Sequence, residues 1–139
     1  TEYEQAIFPH MKRIISTVKS RFPNLPLAMN GVGTDHLVST WAKLPLDVIA
    51  LDWRRSLGAA KDRGVTQTVQ GTLDQAYLYG DTKTIAKVVD EILMDGVRHG
   101  KHVFNLGHGV FPEADPAKLH WLTDYVHEKS RELWARESR

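Results

Sequence analysis

The sequence contains no cysteine, which removes disulfide scaffolds, thiolate nucleophiles and cysteine-ligated zinc and leaves no reporter of the redox compartment. It also has no excess of one charge: 18 basic against 17 acidic side chains give a net charge of +1. Without a run of Lys or Arg there is no long-range field to hold a polyphosphate backbone, so no nucleic-acid partner is expected. No stretch approaches the roughly 18 apolar residues that span a bilayer, and the N-terminus lacks the apolar core of a signal peptide. The chain is therefore expected to be soluble, with no membrane span and no targeting segment. GxGxxG, Walker, GxSxG and HExxH patterns are all missing, which removes the commonest nucleotide, hydrolase and zinc-protease readings. What is present is 139 residues, 42% hydrophobic and 25% charged, the composition of one globular domain or a piece of one.

The apolar residues recur with helical and strand periods in alternation. Tyr3, Ile7, Phe8, Met11, Ile14, Ile15 and Val18 form a helical stripe expected to end near Arg21, before Pro23. The stripe starts with almost no lead-in for a cap, as expected of a start within an existing fold. Leu25 to Asn30 reads as a buried strand followed by a glycine turn at Gly31 and Gly33. Thr34 or Asp35 is then placed to cap a helix through Lys43. Val48 to Leu51 reads as a second buried strand, followed by a helix from Arg55 to Arg63 that stops at Gly64. Val65 to Gln70 reads as a third strand meeting Gly71. A helix from Asp81 carries Ile85, Val88, Val89, Ile92 and Leu93 and is expected to end at Gly96. His102 to Leu106 reads as a fourth strand, and Pro116 opens a last helix with Leu119, Leu122, Val126 and Leu133 on one face.

The order is a helix and then four βα units, which argues a parallel sheet with helical crossovers. Four units are half of a (β/α)8 barrel, which takes about 250 residues. A half-barrel has two unpaired strand edges and an uncovered inner face, and so invites another protein chain or a homo-oligomer. The alternative, a small open doubly wound sheet, needs helices on both faces. In either case the functional side is the C-terminal end of the strands, and each strand here ends in a polar or glycine-rich turn.

The densest of these turns is Asn105-Leu106-Gly107-His108-Gly109-Val110-Phe111-Pro112. Glycines on both sides of His108 let the backbone approach a ligand closely, and a strand-end imidazole suits a carboxylate or a proton shuttle. A tight turn with a structurally bonded His fits the same residues. His99 and His102 lie nearby, but no carboxylate stands at ligand spacing, so no metal site is assigned. Asp52, after Leu51 and before Trp53, is placed as a general base or a helix cap, and an ion pair with Arg54 or Arg55 is the commoner outcome. Asp74, in Gln70-Gly71-Thr72-Leu73-Asp74, is a second strand-end carboxylate that would form an acid/base pair with Asp52 if the two converged. Trp41, Trp121, Tyr125 and Trp134 have the spacing of helix packing.

Taken in order, the strand-end words resemble the uroporphyrinogen decarboxylase family. Ala50-Leu51-Asp52-Trp53 resembles the family's Gly-Leu-Asp-Trp, and Gln70 to Asp74 resembles its Gln-Gly-Asn-Leu-Asp-Pro. Asn105 to Gly109, followed by Pro112, matches its Asn-Leu-Gly-His-Gly and proline in full, and Val126-His127 resembles its C-terminal Val-His. Phe8-Pro9 with Ile14 is similar to the helix before its fifth strand. The words are weak singly and specific as an ordered set over essentially the whole chain.

The resemblance implies that residues 1–139 form a single domain, the C-terminal half of a (β/α)8 barrel, with the N-terminal half absent. The family's members are homodimers that decarboxylate the four acetate side chains of uroporphyrinogen to give coproporphyrinogen, in haem and chlorophyll synthesis, with no metal and no organic cofactor. The pyrrole is the electron sink, so the protein supplies an acid, cations for the carboxylates and an orienting pocket. Carried over by position, His108 matches the cleft histidine and is expected to bind a substrate carboxylate. Asp52, Gln70, Asp74, Gly107 and Gly109 match the barrel mouth, and no catalytic residue is assigned.

The family's arginine pair, its pyrrole-facing aspartate, and its tyrosine and serine belong to the other half. Thr72 and Gln75 replace the Asn and Pro of the family's turn, and Ala28-Met29-Asn30 departs from its aromatic and lysine. Two main functions are therefore expected: half of a decarboxylase, inactive alone, whose partners are a porphyrinogen and the missing half, or a structural subunit of a larger assembly. A module binding an organic anion at Gly107-His108-Gly109 is a third. Location is cytoplasmic or plastid on the family's pattern.

Overall fold

The computed structural model describes residues 1–137. Its elements are α1 (Glu2–Ala6), α2 (Phe8–Arg21), β1 (Ala28–Asn30), α3 (Val38–Trp41), β2 (Val48–Ala50), α4 (Gly58–Asp62), β3 (Thr68–Leu73), α5 (Thr82–His99), β4 (His102–Leu106) and α6 (Pro116–Glu137). Short 3₁₀ turns at Asp35–Leu37 and Gln75–Tyr79 lead into α3 and α5. The four strands are parallel and lie in sequence order, β1-β2-β3-β4.

Register divides the side chains of the sheet between two faces. Ile49 stands beside Val69, and Val69 beside His102. With strand period two this sends Met29, Ile49, Val69, Leu73, Phe104 and Leu106 to one face. All the helices pack there. Ile49 and Val69 are fully buried with Ile15, Val38, Trp41, Leu57 and Val65, while Leu73 is buried with Leu78, Ile85, Val89 and Leu122. Each such Val, Leu or Ile contributes about 1.5–3 kcal/mol by leaving water. The other face carries Ala28, Asn30, Val48, Ala50, Thr68, Gln70, Val103 and Asn105, with Val103 47% exposed. Among the described residues the helices lie on one face only, which excludes the doubly wound alternative, and the architecture is that of half a (β/α)8 barrel. Among the described residues β1 and β4 each pair along one edge.

Several element boundaries differ from the sequence expectation for identifiable reasons. The leading stripe is two helices, because Pro9 has no N–H to give Gln5 and its ring crowds that carbonyl. Thr1 is a cap after all: it accepts from the Glu4 N–H at 3.2 Å in a capping box. Neither Thr34 nor Asp35 caps α3. The Thr34 hydroxyl donates back to the Gly31 carbonyl, and Asp35 pairs with Arg55 at 3.3 Å and Arg63 at 2.8 Å.

β3 starts later than expected and continues through Gly71 to Leu73, since Val65 is taken by the core beside α4. Asp81 does cap α5, accepting from the Thr84 N–H at 2.9 Å. The helix passes Gly96, however, and stops at Gly100, whose φ of +90° is open to glycine. Gly96 is small for another reason: any Cβ there would collide with the His102 ring.

The helix aromatics pack as their spacing indicates. Trp41 Nε1 donates to the Tyr3 hydroxyl at 2.8 Å, and Trp121 stacks on Tyr125 at 5.2 Å. The Tyr125 hydroxyl donates to Asp90 at 2.8 Å, tying α6 to α5. Burial, with that carboxylate alongside, pushes the phenol up to about 12. Trp134, on the same helix, is 43% exposed.

Candidate functional site

The C-terminal ends of the strands meet at the turn Leu51-Asp52-Trp53, and each of the other three strand ends touches it. After β1, the Gly33 N–H donates to Asp52 Oδ2 at 2.5 Å. Within β3, Gly71 has a φ of +131°, and a Cβ added there would stand 2.5 Å from the Leu51 carbonyl oxygen. After β4, a Cβ on Gly107 would stand 2.6 Å from the Trp53 nitrogen. Two of these glycines are therefore dictated by close approach of backbone to backbone. The Gly71 carbonyl is held in turn by His102, whose Nε2 donates to it at 2.8 Å, and burial pushes that imidazole's pKa down.

Asp52 is 5% exposed. Besides Gly33 it takes the Arg54 N–H at 3.0 Å and Arg54 Nη1 at 2.6 Å. Burial alone would raise its pKa. The N–H groups of Gly33 and Arg54, with the Arg54 guanidinium, outweigh burial and hold the carboxyl below its ordinary value. A carboxylate so occupied is a tie between turns and a poor general base. Of the two arginines that the sequence offers as its partner, Arg54 takes the role, and Arg55 goes to Asp35.

The same turn places Trp53 against His108, the ring centroids 6.1 Å apart and the planes at 87°. Arg54 lies over the other partner of this contact, its guanidinium carbon 4.4 Å from the Trp53 ring centroid. His108 is exposed at the mouth of a cleft of about 430 Å³, which is lined by Asn30, Ala50, Gln70, Asn105, Gly107 and Gly109 among others. The expected mouth residues Gln70, Gly107, His108 and Gly109 thus converge. Asp74 does not join them: it caps the turn at Gln75–Tyr79, accepting from the Ala76 N–H at 2.9 Å, and lines a separate cavity with Trp53 and Arg54. Asp52 is taken up by Gly33 and Arg54 and Asp74 by the turn it caps, so neither strand-end carboxylate is placed to serve the other as an acid/base partner.

Sequence reasoning missed several parts of the site. Gly33 as a donor to Asp52 and Trp53 as a neighbour of His108 are contacts between distant turns, with no local signal. Tyr79 stacks on Phe111 at 5.7 Å, joining the turns after β3 and β4, another contact with no local signal. Among the described residues no three His, Asp or Glu side chains cluster as ligands for a metal ion. No helix among them is long and apolar enough to cross a membrane.

Parallel βα units with a cleft at the strands' C-terminal ends define a protein of the (β/α)8 type. A solved methyltransferase from Methanosarcina mazei has this fold in common with it, with a TM-score of 0.71 at 15% identity over 91% of this chain and 36% of that one. The family is fixed by sequence. The model of the uroporphyrinogen decarboxylase (URO-D) family matches residues 1–129, and the chain belongs to that family. Uroporphyrinogen decarboxylases of Staphylococcus aureus strains JH9 and Newman are each 45% identical to it over 126 residues, 91% of this chain. The chain spans 36% of the length of those relatives.

Proposed function

We propose that this chain forms the His108-bearing half of a uroporphyrinogen decarboxylase site and that it turns over substrate only when a complementary set of four βα units closes the barrel. The observation carrying this is the cleft itself. Its lining brings Asn30, Gln70, Asn105 and His108 to one open face, and includes no Lys or Arg among the described residues. An octacarboxylate substrate needs several cations to offset desolvation of its charges. His108 can hold one carboxylate; the remaining positive charge has to come from the complementary half. The decarboxylation then follows the pyrrole chemistry: a ring carbon is protonated, the acetate carboxyl leaves as carbon dioxide while its electron pair passes into the ring to form an exocyclic methylene, and a proton added to that methylene with loss of the ring proton gives the methyl group and restores the pyrrole. In this scheme His108 orients the carboxylate-bearing side chain.

Mixing the chain with such a half and following the release of carbon dioxide tests the proposal. Activity is expected in the mixture and in neither part alone. His108→Asn should lower it about 10- to 160-fold, the factor corresponding to the roughly 1.5–3 kcal/mol of a hydrogen bond to a charged group. An inactive mixture that has assembled overturns the enzyme reading. It would leave the second reading, a structural subunit, which is favoured by the absence of cations in the cleft and predicts association without porphyrinogen binding.

A further inference from the structure

We propose that Trp53 and Arg54 are positioning residues for His108. The imidazole stands on a turn flanked by Gly107 and Gly109, the least restricted backbone available. Among the described residues no hydrogen bond holds its ring, and the Trp53 indole is its only ring contact. A side chain meant to meet a carboxylate in one orientation loses rotamer freedom on binding, unless a neighbour has already fixed it. Trp53 is that neighbour, and it is itself fixed at its backbone and at its ring. Its backbone is pressed by Gly107, its ring carries the Arg54 guanidinium at 4.4 Å, and that guanidinium is held by the buried Asp52 carboxylate at 2.6 Å. The order of support is Asp52, Arg54, Trp53, His108. Trp53 and Arg54 act on substrate through His108 alone.

This inference deepens the reading of His108 as a carboxylate-binding group and rests on that reading only for its effect on turnover. The contact itself is measured without substrate. In the histidine-labelled chain, the carbon-bound ring protons of His108 are identified by their loss in His108→Asn. They should show a nuclear Overhauser effect to the Trp53 ring and be displaced in Trp53→Leu. Trp53→Phe should restore their position, since an aromatic edge or face is regained. Arg54→Met should shift the Trp53 indole signal and, by a smaller amount, His108; Arg54→Lys should reverse both.

Arg54 is half exposed, and after its replacement Asp52 still accepts the backbone N–H groups of Gly33 and residue 54, so the Arg54 pair carries the test should Trp53→Leu fail to fold. Unmoved His108 signals in a folded Trp53→Leu or Arg54→Met chain overturn the proposal, as does an equal displacement by Ile15→Val in the distant core. In the reconstituted enzyme, Trp53→Leu is expected to raise KM several-fold with a smaller change in kcat, and Trp53→Phe to recover it. Intact positioning signals together with a fully active His108→Asn enzyme would sink the decarboxylase role of His108 and leave the positioning contact standing.

Discussion

At the turn after β2 the Asp52 carboxylate is 5% exposed and receives N–H groups from Gly33 and Arg54, together with the Arg54 guanidinium. The turn after β4 instead presents His108 in the open, with a glycine on either side and one aromatic neighbour. Both turns are strand-end words of the same family pattern, and both carry a titratable group at the functional end of the sheet. Their chemistry differs because their surroundings do. A group whose hydrogen-bonding capacity is consumed internally fixes the scaffold, and a group left with free capacity is available to a ligand. The first turn ties the strand ends together, and the second leaves its imidazole exposed.

The largest disturbance of the first turn is expected at Gly71. An added methyl would meet the Leu51 carbonyl oxygen at 2.5 Å in a backbone conformation, φ +131°, that L residues rarely adopt. Backbone cannot swing aside as a long side chain can. Gly71→Ala should therefore cost about 3 kcal/mol or more in urea unfolding. A loss below about 1 kcal/mol would mean that β3 and the Leu51 turn yield independently, and that the mouth is not one tied unit.

Asp52→Asn asks the same question through electrostatics. The amide nitrogen would face N–H donors, so about 2 kcal/mol is expected to be lost at neutral pH. The pH dependence has a definite sign. Because the folded carboxyl lies below its ordinary value of 3.8, its contribution is complete above that value and is lost as pH falls through the folded one. Wild type and Asp52→Asn should therefore differ most at neutral pH and converge in acid below 3.8. A difference that stays constant across this range would show that the carboxylate's charge does not bind the turns.

How much of this was legible beforehand depended on the reach of each interaction. β4 at His102–Leu106, the Asp81 cap and the Pro116 start follow from neighbours in sequence, and they occur where the residues place them. The ends of β3 and α5 were misplaced for one shared reason. Gly71 and Gly96 read locally as stops, but each is small because of a distant group, the Leu51 carbonyl or the His102 ring. The site divides in the same way. His108 between its glycines could be singled out from the turn alone. The internal consumption of Asp52 required knowing that Gly33, 19 residues away in sequence, returns beside it.

The two glycines around His108 allow the comparison to be drawn inside a single turn, down to the smallest expected effect. Gly107 lies on the packed side: its added Cβ would stand 2.6 Å from the Trp53 nitrogen and 3.2 Å from the Trp53 Cβ. Gly109 lies on the open side, where no atom comes within 4 Å of such a Cβ. Neither needs a left-handed backbone, so the difference between them is contact alone. Gly107→Ala should cost about 1–3 kcal/mol, in the range of an overpacked site, and should displace the Trp53 signal. Gly109→Ala should stay within about 0.5 kcal/mol of wild type and leave that signal in place. Thermal unfolding of the two variants side by side reads the contrast. Equal losses would show that the turn responds as one rigid piece, with no boundary at His108 between the packed part and the open part.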